Sequence, residues 1–164
     1  MGNWGGMAVA RAAVAELREF AAEAGCAVDR GEELGGGWSA VHYPDQPDGA
    51  AAALARRTGA PVFTVAYLDS DVGFVEAATF SGGRWKALLN RRTAEDYGIP
   101  LDRFPVEAAL AGALDWAAAA GLLTADPDGI RAALTGSEAF AEDLTHRLLG
   151  ALGLDFTALG EESA

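Results

Sequence analysis

Residues 60–92 read APVFTVAYLDSDVGFVEAATFSGGRWKALLNRR, and this stretch decides the fold. β-Branched and aromatic residues alternate through it in three short runs, which is typical of β-strands. Asp-Ser-Asp at 69–71 separates the first two runs and Ser81-Gly82-Gly83 separates the last two, and both triplets favour tight turns. We therefore predict a three-stranded antiparallel meander with strands at 62–68, 73–80 and 84–90. Both faces of its first strand are apolar, so we expect that strand to be central in the sheet.

Shorter patterns extend outward from the meander. Alternation predicts strands at 3–11 and 38–43, while the glycine-rich residues 28–37 indicate a loop or a weak edge strand. Apolar residues at helical spacing predict six helices, with expected ranges of 13–24, 50–57, 93–97, 105–120, 127–136 and 137–152. The polar residues expected to cap helix N-termini are Asp48, Thr93, Asp126 and Ser137.

The order of these elements predicts an α+β fold, because strands dominate the first half and helices the second. We expect an antiparallel sheet of about four to five strands packed against alanine-rich helices. A chain of 164 residues fits a single domain. We divide it into a sheet-rich half at 1–92, a helical half at 93–160 and a frayed tail at 161–164.

The charge of the chain narrows the classes of partner. Its formal net charge is −12 and its pI is about 4.4. Residues 1–55 carry a net charge of −5, residues 56–92 of +3 and residues 93–164 of −10. Nucleic acids and anionic membrane surfaces need clustered cations, so we expect neither as a partner. An acidic protein instead attracts a basic protein by electrostatic steering.

Cysteine and histidine are scarce. Cys26 is the one cysteine, which excludes both an intramolecular disulfide and a cage of thiolate ligands. His42 and His146 are the two histidines, and we expect each to be partly exposed or hydrogen-bonded locally rather than to bind a metal. No secretory signal and no long apolar span is recognisable, so a cytoplasmic location is expected.

The two aspartates of the first turn allow two interpretations. FTVAYLDSDVG resembles the motif of haloacid-dehalogenase-type phosphatases, and the resemblance implies Asp69 as nucleophile, Asp71 as general acid and Mg²⁺ as cofactor. Strand-ending Asp-x-Asp pairs also hold a divalent metal in nucleotide-sugar glycosyltransferases. On the alternative interpretation both aspartates order the bend, and one of them pairs with Arg84 or Lys86. The second interpretation leaves no catalytic residue and no cofactor.

Two further sets of residues are candidates for binding. The first is a basic run that, with an N-terminal tryptophan, is expected to contact another protein: Arg84, Trp85, Lys86, Arg91, Arg92 and Trp4. Alternation places Arg84 and Lys86 on one face of their strand and Trp85 on the other. The second set is a small-ligand pocket between the sheet and the helices, for which we expect Phe63, Tyr67, Trp85 and Trp116 as lining.

The stretch TGAPVFTVAYLDSDVGFV, followed by GRWKALLN, WAAAAGLL and LLGALGL, also resembles small actinobacterial (Streptomyces-like) cytosolic proteins of unknown function. That resemblance implies a bacterial protein and transfers no functional residue.

Three functions follow from the sequence as hypotheses. The first is a non-catalytic acidic module, similar in kind to an immunity protein or an adaptor, that binds a basic protein. The alternatives are a small metal-dependent hydrolase that uses Asp69 and Asp71, and a small-ligand-binding protein. The oligomeric state is left open.

Overall fold

The α+β architecture is confirmed by a computed structural model, which describes residues 2–154. The strands are β1 Gly6–Ala10, β2 Arg30–Gly35, β3 Trp38–Tyr43, β4 Val62–Leu68, β5 Val72–Ala78 and β6 Arg84–Leu89. The helices are α1 Val14–Glu23, α2 Ala50–Thr58, α3 Arg91–Asp96, α4 Val106–Ala119, α5 Pro127–Thr135 and α6 Ala141–Leu152, with a 3₁₀ turn at Leu101–Arg103. The expected frayed tail at 161–164 lies outside the described residues.

All strands form one antiparallel sheet in the order β2-β3-β1-β4-β5-β6. The meander is confirmed as β4-β5-β6, and β4 is central because β1 pairs with its other edge. The sheet has six strands rather than four to five, since the weak edge segment forms β2 at the side of β3. Strand β5 ends at Ala78 instead of residue 80, because Thr79 N–H donates to Gly83 O at 2.9 Å and begins the turn.

Strand alternation gives the sheet two apolar faces. The first face carries Phe63, Val65 and Trp85, which pack against α4, α5 and α6 in the larger core. The second face is covered at one side by α1 and α2, and at another by α3 over Val72 and Leu88. Helices therefore cover the second face in two separate patches, and Glu76 and Lys86 are exposed between them.

Three of the expected helix caps are wrong. Helix α2 begins after Gly49, whose left-handed φ of 74° turns the chain there, so Asp48 does not cap it. Helix α3 begins directly after β6, which places Thr93 inside the helix instead of before it. Helix α6 begins after Phe140, three residues beyond Ser137.

The cap of α5 is confirmed. Asp126 accepts a hydrogen bond from Asp128 N–H at 3.1 Å, and Pro127 stands at the first helical position. Within residues 2–154, none of the helices combines the length and the apolar composition that a membrane crossing needs.

Candidate functional site

The turn between β4 and β5 has an unusual backbone. Asp69 and Ser70 both adopt positive φ, at 52° and 58°, as the two central residues of a type I′ turn do. Asp71 N–H closes the turn on Leu68 O at 2.9 Å. The left-handed region costs a non-glycine residue about 1–2 kcal/mol, less for aspartate, so contacts from elsewhere must hold this turn.

The N-terminal arm, residues 2–5, supplies the first of these contacts. Gly2 N–H donates to Asp69 Oδ1 at 2.9 Å, and Asn3 N–H donates to Ser70 Oγ at 2.6 Å. Ser70 N–H donates in return to Asn3 O at 2.9 Å. The arm lies so close that a Cβ on Gly2 would stand 2.0 Å from Asp69 O. Position 2 therefore requires glycine in this arrangement.

The N-terminus of α6 holds the turn from the other side. Ala141 N–H donates to Ser70 O at 2.7 Å, and the Ser70 hydroxyl donates to Glu142 Oε2 at 2.7 Å. Ser70 is buried, so its side chain joins the arm, the turn and the helix in one place. The second oxygen of Glu142, Oε1, is buried without a partner among the described residues.

Asp71 is held by groups that follow β6. Tyr97 donates its hydroxyl hydrogen to Asp71 Oδ2 at 2.5 Å, and the Asn90 side-chain amide donates to Asp71 O at 2.7 Å. The same amide donates to Glu138 O at 2.9 Å, which ties in the segment before α6. The pKa of Tyr97 is raised, chiefly because its proton bonds the Asp71 carboxylate, then because of desolvation, and also because Asp71 and Asp69 are negative.

The interpretation in which the two aspartates order the bend thus fits their contacts, but its proposed ion pair is wrong. Neither Asp69 nor Asp71 forms an ion pair with Arg84 or Lys86 within the described part of the chain. The reason is register: Arg84 pairs with Ala78, at the end of β5 remote from Asp71. A strand of this length spans roughly 20 Å.

The metal hypothesis needs further ligands beside Asp69 and Asp71. Groups of three or more histidine, cysteine, aspartate or glutamate side chains arranged for a metal ion do not occur in residues 2–154. The Asp69 and Asp71 side chains instead accept hydrogen bonds from Gly2 N–H and the Tyr97 hydroxyl group. Mg²⁺-dependent hydrolysis by this pair remains a prediction.

Large aromatic side chains are exposed on the segments that hold the turn. Trp4 is 61% exposed, Tyr97 49% and Phe140 58%. Trp4 follows Asn3 in the arm, Tyr97 bonds Asp71, and Phe140 precedes Ala141. We call these three aromatic residues, with Asp69 and Asp71, the turn surface.

The sequence did not single out Tyr97 or Phe140. Both are aromatic residues in acidic surroundings, next to Asp96 and ahead of Glu142, and that context was the available signal.

The basic run does not form one surface. Arg84 and Lys86 are exposed on the second face of the sheet, while Trp85 is buried on the first face, as alternation predicts. Arg91 donates to Phe104 O at 2.5 Å and to Leu101 O at 3.3 Å, so it holds the 3₁₀ turn in place. Arg92 is exposed on α3.

The aromatic residues expected to line a pocket belong to the larger core. The ring of Phe63 lies 6.2 Å from that of Trp85 and 6.4 Å from that of Trp116, centroid to centroid. Tyr67 shares a hydrogen bond of 2.7 Å with the buried Thr145 hydroxyl, and burial raises the pKa of Tyr67. Phe63, Trp85 and Trp116 therefore pack together in the core. A separate open space lies on the second face of the sheet.

That space is a groove of about 360 Å³ beside α2. Its lining consists of Gly49, Ala51, Ala52, Glu76, Ala77, Ala78, Arg84, Trp85 and Lys86. From the sequence, Arg84 and Lys86 were predicted to contact a protein and Trp85 to line a pocket, whereas the alanine wall and Glu76 were not predicted.

The two histidines and the cysteine belong to neither the turn surface nor the groove. His42 Nε2 is 3.0 Å from Glu32 Oε1 and 3.2 Å from an Arg30 nitrogen, in the β2–β3 pair. His146 is exposed on α6. Cys26 is a buried free thiol, and burial raises its pKa.

No family model, no curated protein and no solved structure matches this chain. The resemblance to actinobacterial proteins therefore stays a prediction.

Proposed function

We propose that this chain is a non-catalytic protein-binding module, of the immunity or adaptor kind, that docks a basic segment of its partner on the turn surface. One observation carries the proposal: three segments that meet at one strained turn each present a large exposed aromatic residue. The proposed setting is the cytoplasm, which suits a chain with one cysteine and so no intramolecular disulfide.

The aromatic residues supply the binding energy in this proposal. Tryptophan and tyrosine dominate the energetic centres of protein interfaces, because they bury a large apolar area with few rotatable bonds. Trp4, Tyr97 and Phe140 are all about half exposed or more. Exposed aromatic residues elsewhere in the described chain do not share this arrangement, since Phe80 stands in the β5–β6 turn.

The hydrogen bonds around Ser70 prepare the surface for binding. The arm, the turn and the start of α6 are joined through its backbone and hydroxyl group, at distances of 2.6–2.9 Å. A surface that is ordered before the partner arrives loses less conformational entropy on binding. That saving is a reason to retain a turn with two left-handed non-glycine residues.

Charge selects the partner. Asp69 and Asp71 lie in the turn, and Glu142 and Asp143 occupy the first turn of α6. A basic segment complements these carboxylates, and its arginine or lysine side chains also stack on aromatic faces by cation–π attraction. The net charge of −12 draws such a segment toward the molecule over a longer range.

The test uses a defined probe, a short synthetic peptide that alternates arginine with leucine. Isothermal titration calorimetry compares the wild type with the triple variant Trp4→Ala/Tyr97→Ala/Phe140→Ala. We expect the triple variant to lose about tenfold or more in affinity. The matched control is Phe80→Ala/Leu123→Ala, which removes exposed apolar side chains outside the turn surface and should bind as the wild type does.

A second comparison isolates charge. The Asp69→Asn/Asp71→Asn variant should weaken binding of the basic peptide and reduce its dependence on salt, because two carboxylates are lost. A peptide that alternates glutamate with leucine should not bind the wild type. Equal affinity of the triple variant and its control for the basic peptide would remove the basis of the proposal.

Calorimetry with Mg²⁺ separates the hydrolase alternative. Metal binding by the wild type that is lost in Asp69→Ala would support catalysis at this turn instead.

A further inference from the structure

The groove on the second face of the sheet is independent of the turn surface. The groove lies at the end of β5 near Ala78, which pairs with Arg84 of β6. The turn surface lies at the opposite end of β5, next to Val72. It exists because α2 packs over Val62 and Ala78 while α3 packs over Val72 and Leu88. Between these two patches, Glu76 and Lys86 remain exposed on the sheet.

Small residues form the wall of the groove. Gly49, Ala51 and Ala52 of the α2 side face Ala78 of β5, and none of them fills the space with a longer side chain. The resulting volume of about 360 Å³ lies within the usual range of small-molecule sites. An apolar body of modest size can therefore lie along the alanines.

Two cations stand at the β6 side of the groove. Arg84 and Lys86 are two residues apart on one strand, so they point to the same face. Neither forms an ion pair with a carboxylate of residues 2–154, although acidic residues outnumber basic ones by 24 to 12 in the chain. The Lys86 ammonium lies 4.9 Å from the centre of the Phe104 ring instead.

One carboxylate, that of Glu76, also lines the groove. Glu76 is the register partner of Lys86 on the neighbouring strand, and opposite charges at such positions ordinarily attract. The two side chains nevertheless form no ion pair within the described chain. The groove therefore has two cations, Arg84 and Lys86, and the Glu76 carboxylate opposite Lys86 would repel a bound anion.

We propose that this groove binds a small organic anion, with its apolar body along the alanine wall and its anionic group at Arg84 and Lys86. Charge complementarity selects the anion, and the alanine lining selects an apolar body over a bare phosphate or sulfate. Arg84 is the main determinant, because Glu76 lies opposite Lys86 in the ladder and offsets part of its charge.

The first experiment varies only the ligand's charge. Octanoate, octanol and octylammonium share one apolar chain, and each is titrated into the full chain while amide shifts are followed by ¹H–¹⁵N NMR. We expect octanoate to bind most tightly, with the largest shifts at Gly49, Ala52, Arg84 and Lys86. Octylammonium binding as tightly as octanoate, or octanoate shifts that avoid the groove, would overturn the proposal.

The second experiment varies the protein. Arg84→Gln/Lys86→Gln should lower octanoate affinity about tenfold, whereas the control Arg18→Gln/Arg92→Gln removes equal charge elsewhere and should leave it unchanged. Ala52→Phe should also abolish binding by filling the groove without any change of charge.

Glu76→Gln should change octanoate affinity in the opposite direction. Removing that carboxylate should strengthen octanoate binding several-fold, because it ends a like-charge repulsion. Weaker binding after Glu76→Gln, or equal losses in the two double variants, would contradict the proposed placement of the anion. Amide spectra of each variant show whether the fold is intact, so a loss of binding is read only from folded protein.

Discussion

The two turns of the meander differ both in backbone conformation and in what holds them. The β5–β6 turn relies on glycine, because Gly82 takes φ of +99°. Among residues 2–154, the hydrogen bonds of this turn join its own residues Thr79, Ser81, Gly82 and Gly83. The β4–β5 turn holds Asp69 and Ser70 left-handed through bonds to residues 67 to 72 positions away. One turn is therefore determined by its own sequence, and the other by the tertiary structure around it.

This difference bears on the proposed docking surface. A turn that satisfies itself locally needs no neighbours and carries no exposed cluster of aromatic residues beyond Phe80. A turn that needs an arm and a helix gathers their side chains around it. The strained turn is consequently both a structural joint and the centre of the proposed docking surface.

The largest expected loss of stability comes from removing the Ser70 hydroxyl group, which links the arm, the turn and α6. Ser70→Ala leaves Asn3 N–H without its acceptor and Glu142 Oε2 without its donor, in a buried setting. We expect a loss of about 3 kcal/mol in the free energy of unfolding, measured by urea denaturation. Ser81→Ala in the other turn is the control and should cost less than about 0.5 kcal/mol. Similar losses in both variants would end the distinction between the turns.

Asn90 should show the next largest effect. Asn90→Ala removes the amide that bridges Asp71 O and Glu138 O, and it places alanine at φ of 67°. We expect a loss of about 2 kcal/mol in urea denaturation. Asn90→Gly keeps the backbone conformation without strain, so it should be less destabilising than Asn90→Ala by about 1 kcal/mol. If glycine proves no better than alanine, backbone strain does not contribute at this position.

Glycine exchange compares the two turns directly. Gly82→Ala should cost about 1 kcal/mol in thermal or urea unfolding, because alanine is strained at positive φ although no atom lies within 4 Å of its Cβ. Asp69→Gly relieves strain but loses the bond from Gly2 N–H, so the two effects offset and the net change should stay within about 0.5 kcal/mol. A large loss at Asp69 would mean that the arm matters more than backbone strain.

The smallest effect concerns alkaline pH. The pKa of Tyr97 is raised above the ordinary value of 10, first by its hydrogen bond to Asp71. A raised tyrosine pKa favours the protonated folded form, so its stabilising contribution is complete below pH 10 and is lost as pH rises through the folded pKa. Ultraviolet titration should show that Tyr97→Phe removes one ionisation above pH 10, and Asp71→Asn should bring that ionisation back toward pH 10. An unshifted Tyr97 in the wild type would contradict the hydrogen bond.

Local patterns were sufficient for the meander and for the cap at Asp126, because alternation and an Asp-Pro pair act within a few residues. The same patterns underrated β2, whose sequence RGEELG has two glycines and three charged residues and pairs only at the edge of the sheet. The role of Ser70 could not be predicted, since its partners Asn3 and Glu142 are distant in sequence. Strand alternation correctly placed Trp85 on the opposite face of β6 from Arg84 and Lys86. The hydrogen bonds from Arg91 to the carbonyls of Phe104 and Leu101 could not be predicted, because they depend on the tertiary structure.

The exposure of Trp4 has an optical consequence. Trp38, Trp85 and Trp116 are 5%, 7% and 1% exposed, whereas Trp4 is 61% exposed. Iodide quenches tryptophan fluorescence by collision with an accessible indole ring. It should therefore quench the fluorescence of Trp4 and leave that of the three buried tryptophans unchanged. A partner that covers the N-terminal arm would protect Trp4 from iodide and restore its fluorescence. Binding could then be followed in solution without an attached dye.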